Sequence, residues 1–328
     1  MGTPFDASVL ALDCAAEAAR IARWMPDVLA HTLHRRGVVV AISGGIDSSA
    51  CAGLAVHALG PKKVYGLLLP ERDSSGFSTA RGRQLAEHLG IAHEVHDIAP
   101  ALEAMGCYSQ RDEAIRRVVP AYGPGWKNKI VIAGGTDGGI NFFRLVVESP
   151  DGQRQEQRLP VREYLQIVAA TNHKQRLRKA MEYFHADRLN YAVIGTPNRL
   201  EYDQGFFVKN GDGAADLKPI AHLYKTQVYA MARHLGLPEA ICSAVPTTDT
   251  YSLPQGQDEF YFALPHAQMD LALWALDHGR PAADLAATLG VTEAQAQRIY
   301  ADIENKRRTT YPLHARPLLV EPVASVHA

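Results

Sequence analysis

Two stretches of this 328-residue chain carry residue types suited to phosphate chemistry. The first is Ser43-Gly44-Gly45-Ile46-Asp47-Ser48-Ser49, preceded by the β-branched run VVVAIS and followed by the helical pattern ACAGLAVHALG. A glycine pair between a strand and a helix start lets backbone N–H groups approach an anion, and the helix N-terminus adds partial positive charge. The serines add hydroxyl donors. Asp47 would repel a phosphate held there unless a divalent cation lay between them, so the loop calls for one. It has no Walker lysine, which separates it from a P-loop. The second stretch follows the run YAVI. It comprises Gly195-Thr196-Pro197-Asn198-Arg199-Leu200-Glu201, then Phe206-Phe207-Val208-Lys209-Asn210-Gly211-Asp212-Gly213-Ala214-Ala215-Asp216, then Lys225-Thr226-Gln227. At a strand C-terminus, Glu201 can ligate a hard cation. Lys209 and Lys225 can neutralise phosphate oxygens as a pyrophosphate leaving group gains charge. Asp212 and Asp216, in a glycine-rich loop, can bind substrate donors or water.

Holding these groups in place takes an α/β frame. Residues 10–36 read as one amphipathic helix, with basic residues in the last turn and Gly37 as its stop. The runs VVVAIS, KVYGLLLP and AHEVHDI read as parallel strands, and the helical segments between them complete two βαβ units. The expected fold is a doubly wound parallel sheet. From Gly106 to Pro160 helix signals are few. Two strand-like runs there, KIVIAG and INFFRLVVES, predict an inserted β-hairpin region over about residues 107–165. A long helix through VREYLQIVAATNHKQRLRKAMEYFHADRLN, another at LYKTQVYAMARHLG, and C-terminal helices from Pro281 to about Arg308 complete the outline. Residues 1–328 are read as a single domain around that sheet.

Composition narrows the function classes. A formal net charge of -1 gives no overall field toward nucleic acid or an anionic membrane. The N-terminus lacks the basic start and apolar core of a signal peptide, and no stretch approaches the roughly 20 apolar residues of a membrane span. Cys14, Cys51, Cys107 and Cys242 show no C-x-x-C spacing and read as reduced, mostly buried thiols of a cytoplasmic protein. His93 and His96 read as solvated or packed rather than as metal ligands. The segment AADLAATLGVTEAQAQRIYADIENKRR scans like a helix-turn-helix and keeps a DNA-binding alternative open, against the lack of a basic excess.

Taken together, the strings S-G-G-x-D-S, G-T-x-N-x-x-E, F-x-K-x-G-D-G-x-A-D and L-x-K-T-Q resemble the NAD synthetase family of ATP-pyrophosphatases. Asn172-His173-Lys174-Gln175-Arg176-Leu177-Arg178 is similar to that family's N-x-x-x-R-x-R helix. The resemblance implies that the carboxylate of deamido-NAD is adenylated by ATP and that ammonia then displaces AMP. It implies that Gly44, Gly45, Asp47 and Ser48 hold the ATP phosphates, with Ser43, Ile46 and Ser49 in the same loop, and that Asp47 and Glu201 bind Mg2+. Arg176 and Thr196 would contact ATP, and Lys225 its phosphates. Lys209, Asp212 and Asp216 would line the acceptor and ammonia end, with Asn172, Arg178, Glu201 and Lys306 among the substrate contacts. Pro246-Thr247-Thr248-Asp249 and Gln257-Asp258-Glu259 resemble a loop that closes over ATP, with Thr247 on the nucleotide. A homodimer is implied, fed by free ammonia or by a separate glutaminase subunit. Three stretches depart from the family's pattern: the long insertion, the closing loop, and Asn305 where histidine is usual. All three lie where the resemblance places acceptor recognition or closure, which leaves another carboxylate as an alternative acceptor.

Overall fold

A computed structural model describes residues 3, 5–133, 142–244, 250–256, 261–262, 264–321 and 323. Strands β1 (Val38–Ala41), β2 (Val64–Leu68) and β3 (Ala92–Val95) alternate with helices α1 (Cys14–Asp27), α2 (Ile46–Leu59) and α3 (Gly76–His88). After them come α4 (Ala99–Ala104) and α5 (Cys107–Val118), then strands β4 (Lys127–Ala133), β5 (Phe142–Glu148) and β6 (Arg154–Arg158). The long helix α6 (Val161–Leu189) leads back to β7 (Ala192–Val193). Helices α7 (Arg199–Gln204), α8 (Lys225–His234), α9 (Glu239–Cys242), α10 (His266–Asp277), α11 (Ala282–Leu289) and α12 (Glu293–His314) complete the order.

The parallel sheet runs β3-β2-β1-β7, with Val38 opposite both Val64 and Ala192. Its double winding is written in the two-residue period of its strands. Val38, Val40, Val64 and Leu68 enter one core with residues of α1, α2, α3 and α8. Val39, Leu67 and Val193 enter another with Leu102 of α4, Tyr108 of α5 and Ala186 of α6. Helix α2 is buried on nearly every side, from Ser48 through Ala55, because it lies between the sheet and the outer helices α1 and α8. A third core joins α10, α11 and α12 to Leu200 of α7. The four cysteines are free thiols, three of them buried. No described helix is long and apolar enough to cross a membrane.

Three expectations need correction. The first helix ends at Asp27, and a wider helical turn over Val28–Leu33 stops at His34, whose left-handed backbone (φ 51°) does the work assigned to Gly37. Where few helix signals were read, α5 is a full helix. Its buried face mixes Cys107, Ala114 and Ile115 with Tyr108 and Arg111, so a count of apolar residues misses it. The expected hairpin is a three-stranded antiparallel sheet, β4-β5-β6. Strand β6 reads RQEQR and is exposed throughout. It pairs along β5, with Arg154 on Glu148 and Arg144 on Glu156, instead of through a buried apolar face.

Candidate active site

The C-terminal ends of β1 and β2, the loop after β7, one face of α6 and one face of α12 enclose a cavity of about 740 Å3. Ser43, Gly45, Ile46, Asp47 and Ser48 border it. The loop is bound to itself. Ser43 N donates to Ser48 Oγ (3.2 Å), and the Ser48 and Ser49 hydroxyls donate to Gly45 O (3.1 and 2.8 Å). Gly44 has φ +76°, and a Cβ there would lie 2.4 Å from Ser78 O, so only glycine lets the loop pass under α3. Gly44 and Ser49 shape the loop without bordering the cavity. No side chain caps α2, which leaves its first-turn N–H groups and dipole for an anion.

Beside that helix start, the buried Lys225 ammonium lies against Asp47 Oδ2 and 3.9 Å from Glu201 Oε1. Burial works against its charge, but Asp47 and Glu201 hold its pKa above the ordinary lysine value. The other Asp47 oxygen accepts from Asn198 Nδ2 at 3.0 Å. Glu201 sits not at a strand end but in the first turn of α7, where a capping box with Asn198 fixes it. Lys225 is the first residue of α8, and both Lys225 N and Thr226 N donate to Asp270 (3.2 and 2.7 Å). Three separate elements thus bring two carboxylates and one cation to the mouth of the phosphate loop. Among the described residues, no three His, Cys, Asp or Glu side chains gather as a metal site. Asp47 and Glu201 are nonetheless two hard oxygen donors around a spot already built for positive charge, which suits Mg2+ completed by phosphate and water.

Thr196 borders the cavity next to this cluster, and Asn172, Arg176 and Arg178 border it from α6. Arg178 donates to Leu69 O (3.2 Å) and Ser74 Oγ (3.4 Å), tying α6 to the end of β2. Arg176 Nε donates to Lys209 O at 3.2 Å. Asp212 accepts from Val208 N at 2.8 Å, and burial raises its pKa. The Lys209 ammonium donates to Pro312 O and Ala315 O (2.7 and 3.2 Å) beyond the family-like strings. Lys306, on α12, donates to Tyr261 O and pairs with Asp302 (2.7 and 2.6 Å), and burial lowers its pKa. The helix-turn-helix-like pair therefore presents Asp302, Asn305 and Lys306 to the cavity. Asp216 is exposed, outside the cavity lining, and accepts from Val193 N at 2.8 Å. Thr247 and Gln257-Asp258-Glu259 lie outside the described residues.

Sequence reasoning gave no role to the buried charge cluster behind α6. Lys174, 1 % exposed, donates to Glu71 (3.0 Å), Asp73 (2.7 Å) and Thr250 O (2.9 Å). Tyr108 OH donates to Glu71 at 2.8 Å, and Arg111 pairs with Asp73. Although burial pulls the other way, Lys174 and Arg111 hold the Asp73 carboxyl below its usual range. Lys174 stands inside the N-x-x-x-R-x-R string, and Glu71 and Asp73 just after the KVYGLLLP run, but nothing local to them signals that they are buried together.

A family model described as NAD synthase matches residues 17–119 and 146–310. The NH(3)-dependent NAD(+) synthetase of Rhizobium meliloti is 57% identical over 325 residues, covering 98% of this chain and 96% of its own length. That of Rhizobium rhizogenes is 55% identical over 315 residues, covering 96% and 95%. Among solved structures, the NMN synthetase of Francisella tularensis superposes with a TM-score of 0.66 at 22% identity, covering 94% of this chain and 99% of that one, a likeness of fold.

Proposed function

Because this chain belongs to the NAD synthase family, we propose that it is a C–N ligase that makes NAD from deamido-NAD, ATP and ammonia. The observation that carries the reading is the meeting of Asp47, Lys225 and Glu201 at an uncapped helix start, in the same cavity as Asp212 and Lys306. The rhizobial relatives, whose names give ammonia and NAD, span the insertion as well, which favours deamido-NAD over another carboxylate.

The chemistry runs in two steps. A carboxylate oxygen of the acceptor attacks the α-phosphorus of ATP, the bond to the β-phosphate oxygen breaks, and pyrophosphate leaves. Lys225, kept cationic by its two carboxylate neighbours, offsets the charge that builds on the leaving group. The backbone of Ser43–Ser48 and the start of α2 bind the same oxygens. Asp47 and Glu201 would hold Mg2+, which when bound neutralises phosphate charge. Ammonia then attacks the acyl carbon, the bond to AMP oxygen breaks, and the nitrogen gives up a proton. Asp212, its carboxyl raised by burial, suits that acceptor role. Lys209 and Lys306 would line the acceptor side, with Asn172, Arg176, Arg178 and Thr196 on the nucleotides. Family likeness supports a homodimer in the cytoplasm.

The test is exchange of labelled pyrophosphate into ATP without ammonium. Exchange should depend on deamido-NAD and drop on the order of 100-fold in Asp47→Asn. Unchanged exchange in that variant removes Asp47 from the phosphate site.

A further inference from the structure

The family model leaves residues 120–145 unmatched, yet two side chains from that stretch, Ile132 on β4 and Phe143 on β5, border the same cavity as the phosphate loop. Phe143 stacks on Tyr164 with ring centroids 4.0 Å apart and planes 13° from parallel. Val168, one turn along α6, and Tyr251 complete this end. Tyr251 is held there because β4 carries its neighbours: Asn128 N donates to Ser252 Oγ (2.8 Å) and Leu253 N to Asn128 O (3.1 Å). The cavity face of α6 changes character along its length, from Tyr164 and Val168 through Asn172 and Gln175 to Arg178, Lys179 and Glu182. Eighteen residues of helix span about 27 Å, more than one nucleotide needs. The polar end meets the end of β2 through Arg178. Tyr164 lies 14 residues, about 21 Å along the helix, from the contact of Arg178 with the end of β2.

A wall whose Phe143 and Tyr164 rings are already stacked on each other suits a further aromatic ring laid parallel to them. We propose that the insertion supplies an acceptor-specificity wall, centred on Phe143 and Tyr164, that receives a heteroaromatic ring of the dinucleotide. Ile132 and Phe143, outside the stretches the family model matches, would then join the matched Tyr164 in setting how tightly the acceptor binds. This rests on the amide-forming reading above.

The test compares KM values for deamido-NAD and ATP in wild type, Phe143→Leu and Phe143→Tyr, with thermal unfolding as the folding check. Leucine keeps the packing volume but loses the ring, so KM for deamido-NAD should rise about 5- to 10-fold while KM for ATP stays within about twofold. Tyrosine keeps the ring and should retain the wild-type value. Nicotinate mononucleotide as acceptor distinguishes the two rings. A penalty on both acceptors assigns the pyridine ring to the wall, and a penalty on the dinucleotide alone assigns the adenine. An unmoved acceptor KM in Phe143→Leu, a tyrosine variant as weak as leucine, or a rise confined to ATP overturns the proposal. Wild-type enzyme that forms no NAD at all would instead defeat the amide-forming reading, before any variant is compared.

Discussion

At the scale of single residues, the charges that matter come in buried sets, and removing one member strands the others. Lys174 is the clearest case: its ammonium serves Glu71, Asp73 and a backbone carbonyl with almost no solvent. Breaking a buried pair by removing one partner costs about 3–5 kcal/mol. Lys174→Met should fall near the low end, because Tyr108 and Arg111 still satisfy the two carboxylates in part. Urea denaturation should give that loss, with part of it recovered when Glu71→Gln is added. A loss below about 0.5 kcal/mol would mean the cluster is not a structural hub. The sequence strings brought Asp47, Glu201 and Lys225 into view because phosphate chemistry needs those types. Asn198 stood inside one string without a role, since its grip on Asp47 is a contact between residues 151 apart. Lys174 stood inside another, and nothing in its neighbours announced that it would be buried.

Among the elements, the site depends on where helices begin. Helix α8 starts at Lys225 because Asp270, on α10, accepts from its first two N–H groups. That carboxylate is fully buried, and burial pushes its pKa up to about 6 from 3.8. A carboxyl raised on folding binds its proton more tightly in the native state, so its contribution to stability is complete below about pH 3.8 and is lost as pH rises through about 6. Asp270→Asn lacks this titration. Its destabilisation relative to wild type should therefore be larger at pH 4 than at pH 7, as read from denaturation midpoints at both. A penalty that grows toward pH 7 would contradict the shift. The β-branched run of β1 and the long stretch of α6, free of Gly and Pro, were legible in the sequence. Helix α5 and strand β6 were not, because Arg111 is buried through an ion pair and β6 buries nothing.

Across the whole molecule, a doubly wound parallel sheet delivers the phosphate loop at the end of β1, and α7 and α8 bring Glu201 and Lys225 to it. The C-terminal helices and the inserted sheet close the cavity from other sides. The sheet and the nucleotide strings were readable because strand period and glycine placement are local signals. The enclosing walls were less so, because which face of α12 or β5 turns inward is decided by packing between distant segments. We propose that this one cavity joins ammonia to an adenylated carboxylate of deamido-NAD. This is tested most directly by following NAD, AMP and pyrophosphate together from ATP, Mg2+, ammonium and deamido-NAD. All three should appear in equal amounts and only when deamido-NAD is present. Protein that binds ATP but releases no pyrophosphate in response to deamido-NAD, or releases it without forming NAD, would contradict it.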